Sequence, residues 1–457
     1  MANSRKSSLT DLAGRIEAVL PSGSSILVGL SGGVDSVVLL HLLHGFAPRY
    51  SWKLAALHVH HGISQHADDW AKFCSDSCAR LGIPFCVRKI DISPLRSHGL
   101  EAAARQLRHA AFAEYPCDYV ALAHHRDDQV ETLLLQLLRG AGVRGASAMP
   151  VQSQSEGPVL SQSKRPGISA DSAKIVRPLL HCTRVEIVEY ARAHELQWIE
   201  DESNADEGYP RNFLRHRLLP LLAEKFPAYR ATLSRSAEHF AEAGELLDEL
   251  AGIDGAHAIS GSTLSVAALQ GLSVARAKNL LRYFLHQMKA PMPQAVRLDE
   301  MLHQLLTARD DADVRIDFGG WQMRLFRKRA YALRMQAEFD PDFVLPWQGE
   351  TQLGWPATDT VVNFLQSTGQ GVNLAKLGRA PVTLRLRRGG EILRPGSKSS
   401  TRSLKNLFQE HGIPPWNRDR LPLLYCGEVL VCVPGIAIAA EYLCKEDEAG
   451  MRVEMGC

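Results

Sequence analysis

A chain of 457 residues is long for one domain and, at roughly 100–200 residues per domain, calls for two to four. With 45% hydrophobic and 22% charged residues it can bury a real core and is not disordered as a whole. A formal net charge of +2 excludes little, so any nucleic-acid surface has to be sought in local charge. The N-terminal stretch has no continuous apolar segment, so no secretory leader is expected. The longest apolar run, Val429 to Ala440, is interrupted by Pro434-Gly435 and falls short of the roughly 18–20 residues of a membrane span. Nine dispersed cysteines, with no CxxC pair, read as reduced thiols of a cytoplasmic protein and not as a disulfide framework or zinc site.

Ser25 to Ser31 is an apolar run ending at glycines and reads as a buried strand, followed by helix over Val34 to Leu43. Leu54 to Val59 and Phe85 to Ile90 are further strands, separated by helix over Asp69 to Leu81. Helix over Glu101 to Tyr115, strand over Tyr119 to Ala123 and helix over Asp127 to Arg139 continue the alternation. This order predicts a parallel sheet covered on both faces. The Ser/Gln-rich segment 152–174 reads as a flexible insertion. An apolar run over Ile175 to Leu180 and a helix near Arg184 to His194 follow.

Beyond residue 220 the pattern changes. Pro227 to Leu250 reads as helix, with Glu238, Glu242, Glu245 and Glu249 on a solvated face, and helix-rich sequence runs on to about Arg309. Trp321 to Leu333 alternates like a strand and carries Arg324, Arg327, Lys328 and Arg329, and Pro341 to Gln370 reads as a linker. The expected architecture is α/β: a Rossmann-like parallel-sheet domain over 1–220, a helix-rich middle domain over 221–340 and a small α+β C-terminal domain over 375–457.

The sharpest motif is Ser31-Gly32-Gly33-Val34-Asp35-Ser36, between a predicted strand and a predicted helix. Glycines let the backbone approach phosphate oxygens closely, and amides at a helix start attract anions. Ser31 and Ser36 add hydroxyls, while Asp35 makes sense beside phosphate only with a bridging Mg²⁺. No GxxxxGK[ST] loop is present. Gly140-Ala141-Gly142-Val143-Arg144-Gly145 fits GxGxxG but follows a helix, so it reads as a helix stop.

A second motif, His124-His125-Arg126-Asp127-Asp128-Gln129-Val130-Glu131-Thr132, follows the strand YVALA. On a helix His124, Asp128 and Glu131 share one face. Carboxylates there can hold a cationic amine, and histidine can donate to a developing oxyanion. Dipole-complementing acids at a helix start would explain Asp127 and Asp128 but not His124 with Glu131. Glu101, Arg105 and Arg108 share a face of the preceding helix, a pattern that a surface ion pair would also produce.

SGGVDS in this position resembles the PP-loop ATP pyrophosphatase family. EAAAR, AHHRDDQVET with LLRGAG, and DESNADEGYPRNFLR resemble the tRNA(Ile)-lysidine synthetase family within it, as does TRSLKNLFQEHGIPPWNRDRLPLLYCGEVLVCVPGIAIAAEY near the C-terminus. The resemblance spans nearly the whole chain and implies an ATP- and Mg²⁺-dependent ligase. Its partners would be free L-lysine and tRNA(Ile) with a CAU anticodon. The wobble cytidine would be adenylated at its C2 oxygen with loss of pyrophosphate, and lysine's ε-amine would then displace AMP.

The resemblance also implies site roles. Ser31, Gly32, Gly33, Val34, Asp35 and Ser36 would bind ATP, with Mg²⁺ near Asp35. Arg105 and Arg211 would neutralise phosphate or RNA charge, Asp128 and Glu131 would receive the lysine ammonium, and His124 would donate to the adenylate. A homodimer stays open, since sequence does not give oligomeric state.

Lys376 to Arg420 holds eleven Lys/Arg against three Asp/Glu, a one-sided cluster in a nearly neutral chain. Arg387, Arg388, Arg394, Lys398, Arg402 and Lys405 are the expected RNA contacts, with Phe408 and Trp416 available for stacking. A PP-loop tRNA sulphur transferase is the nearest rival; that chemistry wants a cysteine pair, and Cys74 and Cys78 are spaced C-x3-C. An amidotransferase-type synthetase lacks an ammonia-releasing motif here, and an inert RNA-binding relic would not need the intact glycine loop.

Overall fold

The computed structural model describes residues 16–17, 19–62, 64, 66–91, 100–154, 173–309, 312, 314–336, 338–358, 360–396 and 399–456, with the backbone alone at 100–106, 154, 203 and 204. The chain divides into two compact units, Met1–Leu250 and Ala251–Cys457.

In the first unit the strands are β1 (Ser25–Gly29), β2 (Lys53–His60), β3 (Phe85–Lys89), β4 (Tyr119–Ala121), β5 (Gln152–Gln154) and β6 (Lys174–Val176). They form one sheet in the order β3-β2-β1-β4-β6-β5, parallel except for the pairing of β5 with β6. The helices are α1 (Val34–Tyr50), α2 (Ala67–Arg80), α3 (Leu100–Ala113), α4 (Arg126–Leu138), α5 (Val143–Ala146) and α6 (Arg184–Ala193). The continuous apolar run of β1 is what a strand buried on both faces requires. Ile26 and Val28 join one core with α1 and α6, while Leu27 points the other way to Phe112 and Val120. Cys74 and Cys78 lie fully buried in the first core, so the C-x3-C pair is packing.

Most of the expected elements occur within a few residues of their sequence bounds. Two differences and one agreement matter. Helix α4 starts at Arg126, with His125 as its N-cap, so His124 precedes the helix and does not share its face. The expected insertion 152–174 supplies β5 and the first residue of β6, and 155–172 lies outside the described residues. The Gly140 region does stop α4: Gly140 takes a left-handed conformation (φ 73°), and α5 follows at once.

The first unit continues with α7 (Pro210–Phe213), a π-helical turn over Leu214–Leu218, α8 (Leu219–Lys225) and most of α9 (Tyr229–Gly255). Glu238, Glu242, Glu245 and Glu249 are exposed on α9.

The second unit contains helices Val274–Gln287 and Ala295–Thr307 packed on a five-stranded antiparallel sheet, around Phe284, Met301 and Met323. The stretch expected as one strand, Trp321 to Leu333, is a hairpin of Trp321–Phe326 and Arg329–Arg334. Its turn residues Arg327 and Lys328 both have positive φ (48° and 57°), as two-residue hairpin turns demand, without the Gly or Asn that would have marked the turn in the sequence. The stretch 341–370, expected as linker, instead contributes strands Val344–Trp347, Gln352–Trp355 and Thr360–Thr368 to two antiparallel sheets. Among the described residues, no helix is long and apolar enough to cross a membrane.

Candidate active site

Strand order reverses between β1 and β4, which run side by side, and the loops leaving their C-terminal ends meet at that switch point. The first loop is Leu30 to Gly33. Gly32 has φ 90°, and a Cβ there would sit 3.1 Å from Ile199 Cδ1 and 3.3 Å from Cys74 Sγ. The left-handed conformation therefore favours glycine, and the tight space adds to that preference. Ser36 Oγ accepts from the Ser31 and Gly32 amides (3.2 Å each) and donates to the Gly33 carbonyl (2.9 Å). Ser31 Oγ lies 3.1 Å from Ser36 Oγ, so the two hydroxyls shape the loop from within. Gly33 is the N-cap of the 17-residue α1 and offers no side chain to its first turn, where Val34, Asp35 and Ser36 lie. The start of a long helix capped without a side chain suits an anion.

Asp35 is half-buried, and its Oδ1, shielded from solvent, makes no hydrogen bond. Burial raises its carboxyl above the usual range; Asp128 adds to this, and His125, Arg184 and Arg215 oppose it. Among the described residues, no three His, Cys, Asp or Glu side chains form a metal cage. Mg²⁺ is commonly held by one or two carboxylates together with substrate phosphates. The Asp35 oxygen beside the loop, which makes no hydrogen bond, is the group that fits it.

The second loop carries His124 and His125 into α4. His125 is buried, with Nε2 3.4 Å from Asp128 Oδ2 and 3.7 Å from Asp35 Oδ1, and Nδ1 3.8 Å from Asp127 Oδ2. It therefore stands between the glycine loop and the acid pair. Helical spacing selected His124 instead; the signal for His125 was the doubled histidine directly after a strand. His124 is half-buried and near enough to lower the Asp128 carboxyl.

Asp128 and Glu131 do share a face of α4, and two arginines cover them. Arg211 donates from Nε to Glu131 Oε2 (2.6 Å) and from Nη2 to Asp128 Oδ1 (2.8 Å). Arg215 donates from Nε to Glu131 Oε1 (2.7 Å) and from Nη2 to Glu131 Oε2 (3.0 Å) and Asp128 Oδ1 (3.5 Å). Glu131 is 1% exposed, so this is a buried four-charge cluster. Burial pushes the Asp128 carboxyl up, but His125, Arg211 and His124 more than offset it and leave it below the usual range. Arg215 was not singled out from the sequence, although its four-residue spacing from Arg211 was visible there.

Asp127 faces away from this pair. It accepts from the Arg184 amide (2.9 Å) and from the Arg230 guanidinium. Burial raises its carboxyl, and these donors more than offset it, leaving it below the usual range. Beside Glu131 and Arg215 opens a cavity of about 700 Å³, also lined by Val34, Arg184, Glu189 and Trp198. Its size lies within the range of about 300–1,000 Å³ usual for small-ligand sites. Arg105 lies on α3, but its side chain, like that of Glu101, is outside the described residues.

In the second unit the expected RNA contacts are spread over the C-terminal part. Arg387 pairs with Asp419 (3.4 Å) and Glu391 (3.5 Å), Arg388 with Asp342 (3.1 Å), and Arg402 with Glu410. Arg394 Nε donates to the Ser399 carbonyl (3.0 Å), Lys405 is exposed, and Lys398 lies outside the described residues. Of the two aromatics expected to stack on bases, one is ruled out by burial and the other is half-buried. Phe408 is fully buried in a core with Leu404 and Leu423. Trp416 packs edge-on against Tyr331 and Phe326, with the Arg324 guanidinium over its ring. Composition could not separate a core aromatic from a stacking one.

Comparison with known proteins agrees with this geometry. A PP-loop domain model matches residues 6–222, a TilS substrate binding domain model matches 264–331, and a TilS substrate C-terminal domain model matches 382–455. The chain is 42% identical to the tRNA(Ile)-lysidine synthase of Nitrosomonas europaea, with 99% of this chain and 97% of that protein covered. It is 40% identical to the protein of the same name in Azoarcus sp. (95% and 92% covered) and 41% identical to that of Aromatoleum aromaticum (95% and 98% covered). The chain is an enzyme of the tRNA(Ile)-lysidine synthase family.

Proposed function

We propose that this enzyme joins free L-lysine to C2 of the wobble cytidine of tRNA(Ile) bearing a CAU anticodon, by way of an adenylated cytidine, releasing pyrophosphate and AMP. The observation that carries the reading is one continuous site. A glycine loop fit for phosphate, a carboxylate with one oxygen free of hydrogen bonds and fit for Mg²⁺, and an acid pair fit for an amine lie along the switch point, with His125 between the two acids Asp35 and Asp128.

Each part has a task. Cytosine O2 leaves poorly until adenylated, so ATP must be consumed. Residues 31–36 would hold its phosphates, and Mg²⁺ at Asp35 would screen the phosphate charge. Arg105 and Arg211 would neutralise phosphate or RNA charge. Lysine's side chain, with a reference pKa of about 10.4, arrives protonated and must lose its proton before it can attack. Asp128 and Glu131 would receive that ammonium, with His124 as donor to the adenylate. The adjoining cavity carries Arg184 and Arg192 as well as Glu189 and Glu200, opposite charges suited to a zwitterionic amino acid. Arg387, Arg388, Arg394, Lys398, Arg402 and Lys405 would track RNA phosphates. The work is proposed for the cytoplasm; a homodimer is one quaternary state open to the enzyme.

Sulphur transfer is the weaker reading. Burial pushes the Cys74 thiol up to about 12 and the Cys78 thiol up to about 11, the reverse of what a persulfide carrier needs. The direct test incubates the protein with ATP, Mg²⁺, labelled lysine and a tRNA(Ile) transcript bearing CAU. Label should enter RNA with release of AMP, and other amino acids should give none. Absence of label in RNA would sink the proposal.

A further inference from the structure

The carboxylates assigned to lysine's ammonium are already occupied. Both oxygens of Glu131 accept from guanidinium groups, and Asp128 Oδ1 does so as well. With both arginines in place Glu131 is almost fully buried, so its charge is met by guanidinium groups and not by water. A third cation cannot simply be added, because like charges at contact distance repel. The two arginines are not equivalent: Arg215, not Arg211, lines the cavity beside Glu131. Arg215 also sits in the π-helical turn Leu214–Leu218, an irregularity found often at functional sites.

We infer that Arg215 is a specificity-determining residue of the lysine-transfer step: in the free enzyme its guanidinium fills the ammonium site on Glu131, and lysine binds by displacing it. The inference rests on the reading that Asp128 and Glu131 receive lysine. The exchange keeps the charge around Glu131 constant, one cation leaving as another arrives, so a buried carboxylate is never left bare. A neutral side chain cannot make the exchange, because moving Arg215 aside would strand that carboxylate. The arrangement thus selects for a cationic amino acid before any contact with its backbone is made. It also lowers apparent lysine affinity by the fraction of molecules in which Arg215 is away: if that fraction is about one in ten, the loss is about tenfold.

The test is calorimetric titration of the full-length protein, without ATP or tRNA, using L-lysine and L-norleucine as probes. Arg215→Gln should bind lysine about tenfold more tightly than wild type, and norleucine should gain by a larger factor, so that the preference for lysine over norleucine narrows. Arg215→Lys, which keeps a cation but loses the forked geometry, should fall between and carries the test if Arg215→Gln does not fold. In steady state with tRNA and ATP, both variants should lower the KM for lysine more than they change pyrophosphate release. Unchanged or weaker lysine binding in both variants, with lysidine still made by wild type, overturns the displacement alone. A wild-type protein that makes no lysidine overturns the proposed function and the displacement with it.

Discussion

Arginine meets carboxylate in both units of this protein, under opposite conditions. In the first unit Arg211 and Arg215 hold Asp128 and Glu131 in a pocket where Glu131 is 1% exposed. In the second, Arg388 and Asp342 form a pair whose side chains are 62% and 76% exposed. The chemistry of the pair is the same, and the solvent decides its worth. An exposed pair contributes about 0–1 kcal/mol and is given up easily. A buried one was costly to assemble, and breaking it by removing one partner costs about 3–5 kcal/mol. The first arrangement suits a site that must hold one geometry and exchange one cation for another. The second would suit the proposed RNA surface, where cations on weak partners can be given up to phosphate.

The largest effect should follow removal of the buried acid. Glu131→Ala leaves two guanidinium groups sharing the single carboxylate of Asp128, and urea unfolding should show a loss of about 3–5 kcal/mol. Glu131→Gln keeps the shape and loses the charge. With that variant lysine transfer to pre-adenylated tRNA should fall by about 100-fold or more, while pyrophosphate release from ATP and tRNA changes much less. Equal damage to both half-reactions would remove the acid pair from its assigned role.

The contrast also explains what could be read before the structure. Strand–helix alternation, the glycine loop and the sharing of a face by Asp128 and Glu131 are local patterns, and local patterns survive folding. His124 was misplaced because its phase depended on where α4 begins, and the N-cap is His125. Arg215 escaped notice because its partners lie 84 and 87 residues away in sequence, a tertiary fact. The hairpin turn at Arg327 and Lys328 carried no turn residue to announce it, and the buried place of Phe408 is set by a core that composition cannot see.

An intermediate effect is expected at Asp127, which ties the start of α4 to the Arg184 amide and to Arg230. Its carboxyl lies below the usual range in the folded state. A depressed carboxyl contributes stability above its unfolded value of about 3.9, and that contribution is lost as pH falls through the folded value. Asp127→Asn should therefore cost about 1–2 kcal/mol at pH 7, and the gap to wild type should close as pH drops below about 4. Urea titrations at pH 7, 5 and 3 would reveal this; a gap that stays constant would mean that the charge is not what holds the joint.

The smallest stability effects belong to the C-terminal pairs, and there binding is the better readout. Arg388→Ala and Arg402→Ala should each shift stability by no more than about 0.5 kcal/mol. If these side chains meet RNA phosphates, each substitution should also reduce by about one the slope of log affinity for tRNA against log salt. Removing the acid separates storage from structure. Asp342→Ala frees Arg388 without touching the cation, so tRNA affinity at low salt should rise slightly, whereas a purely structural pair would leave it unchanged or lower. The opposite signs of Arg388→Ala and Asp342→Ala at one exposed pair would show that its weakness is what makes it available.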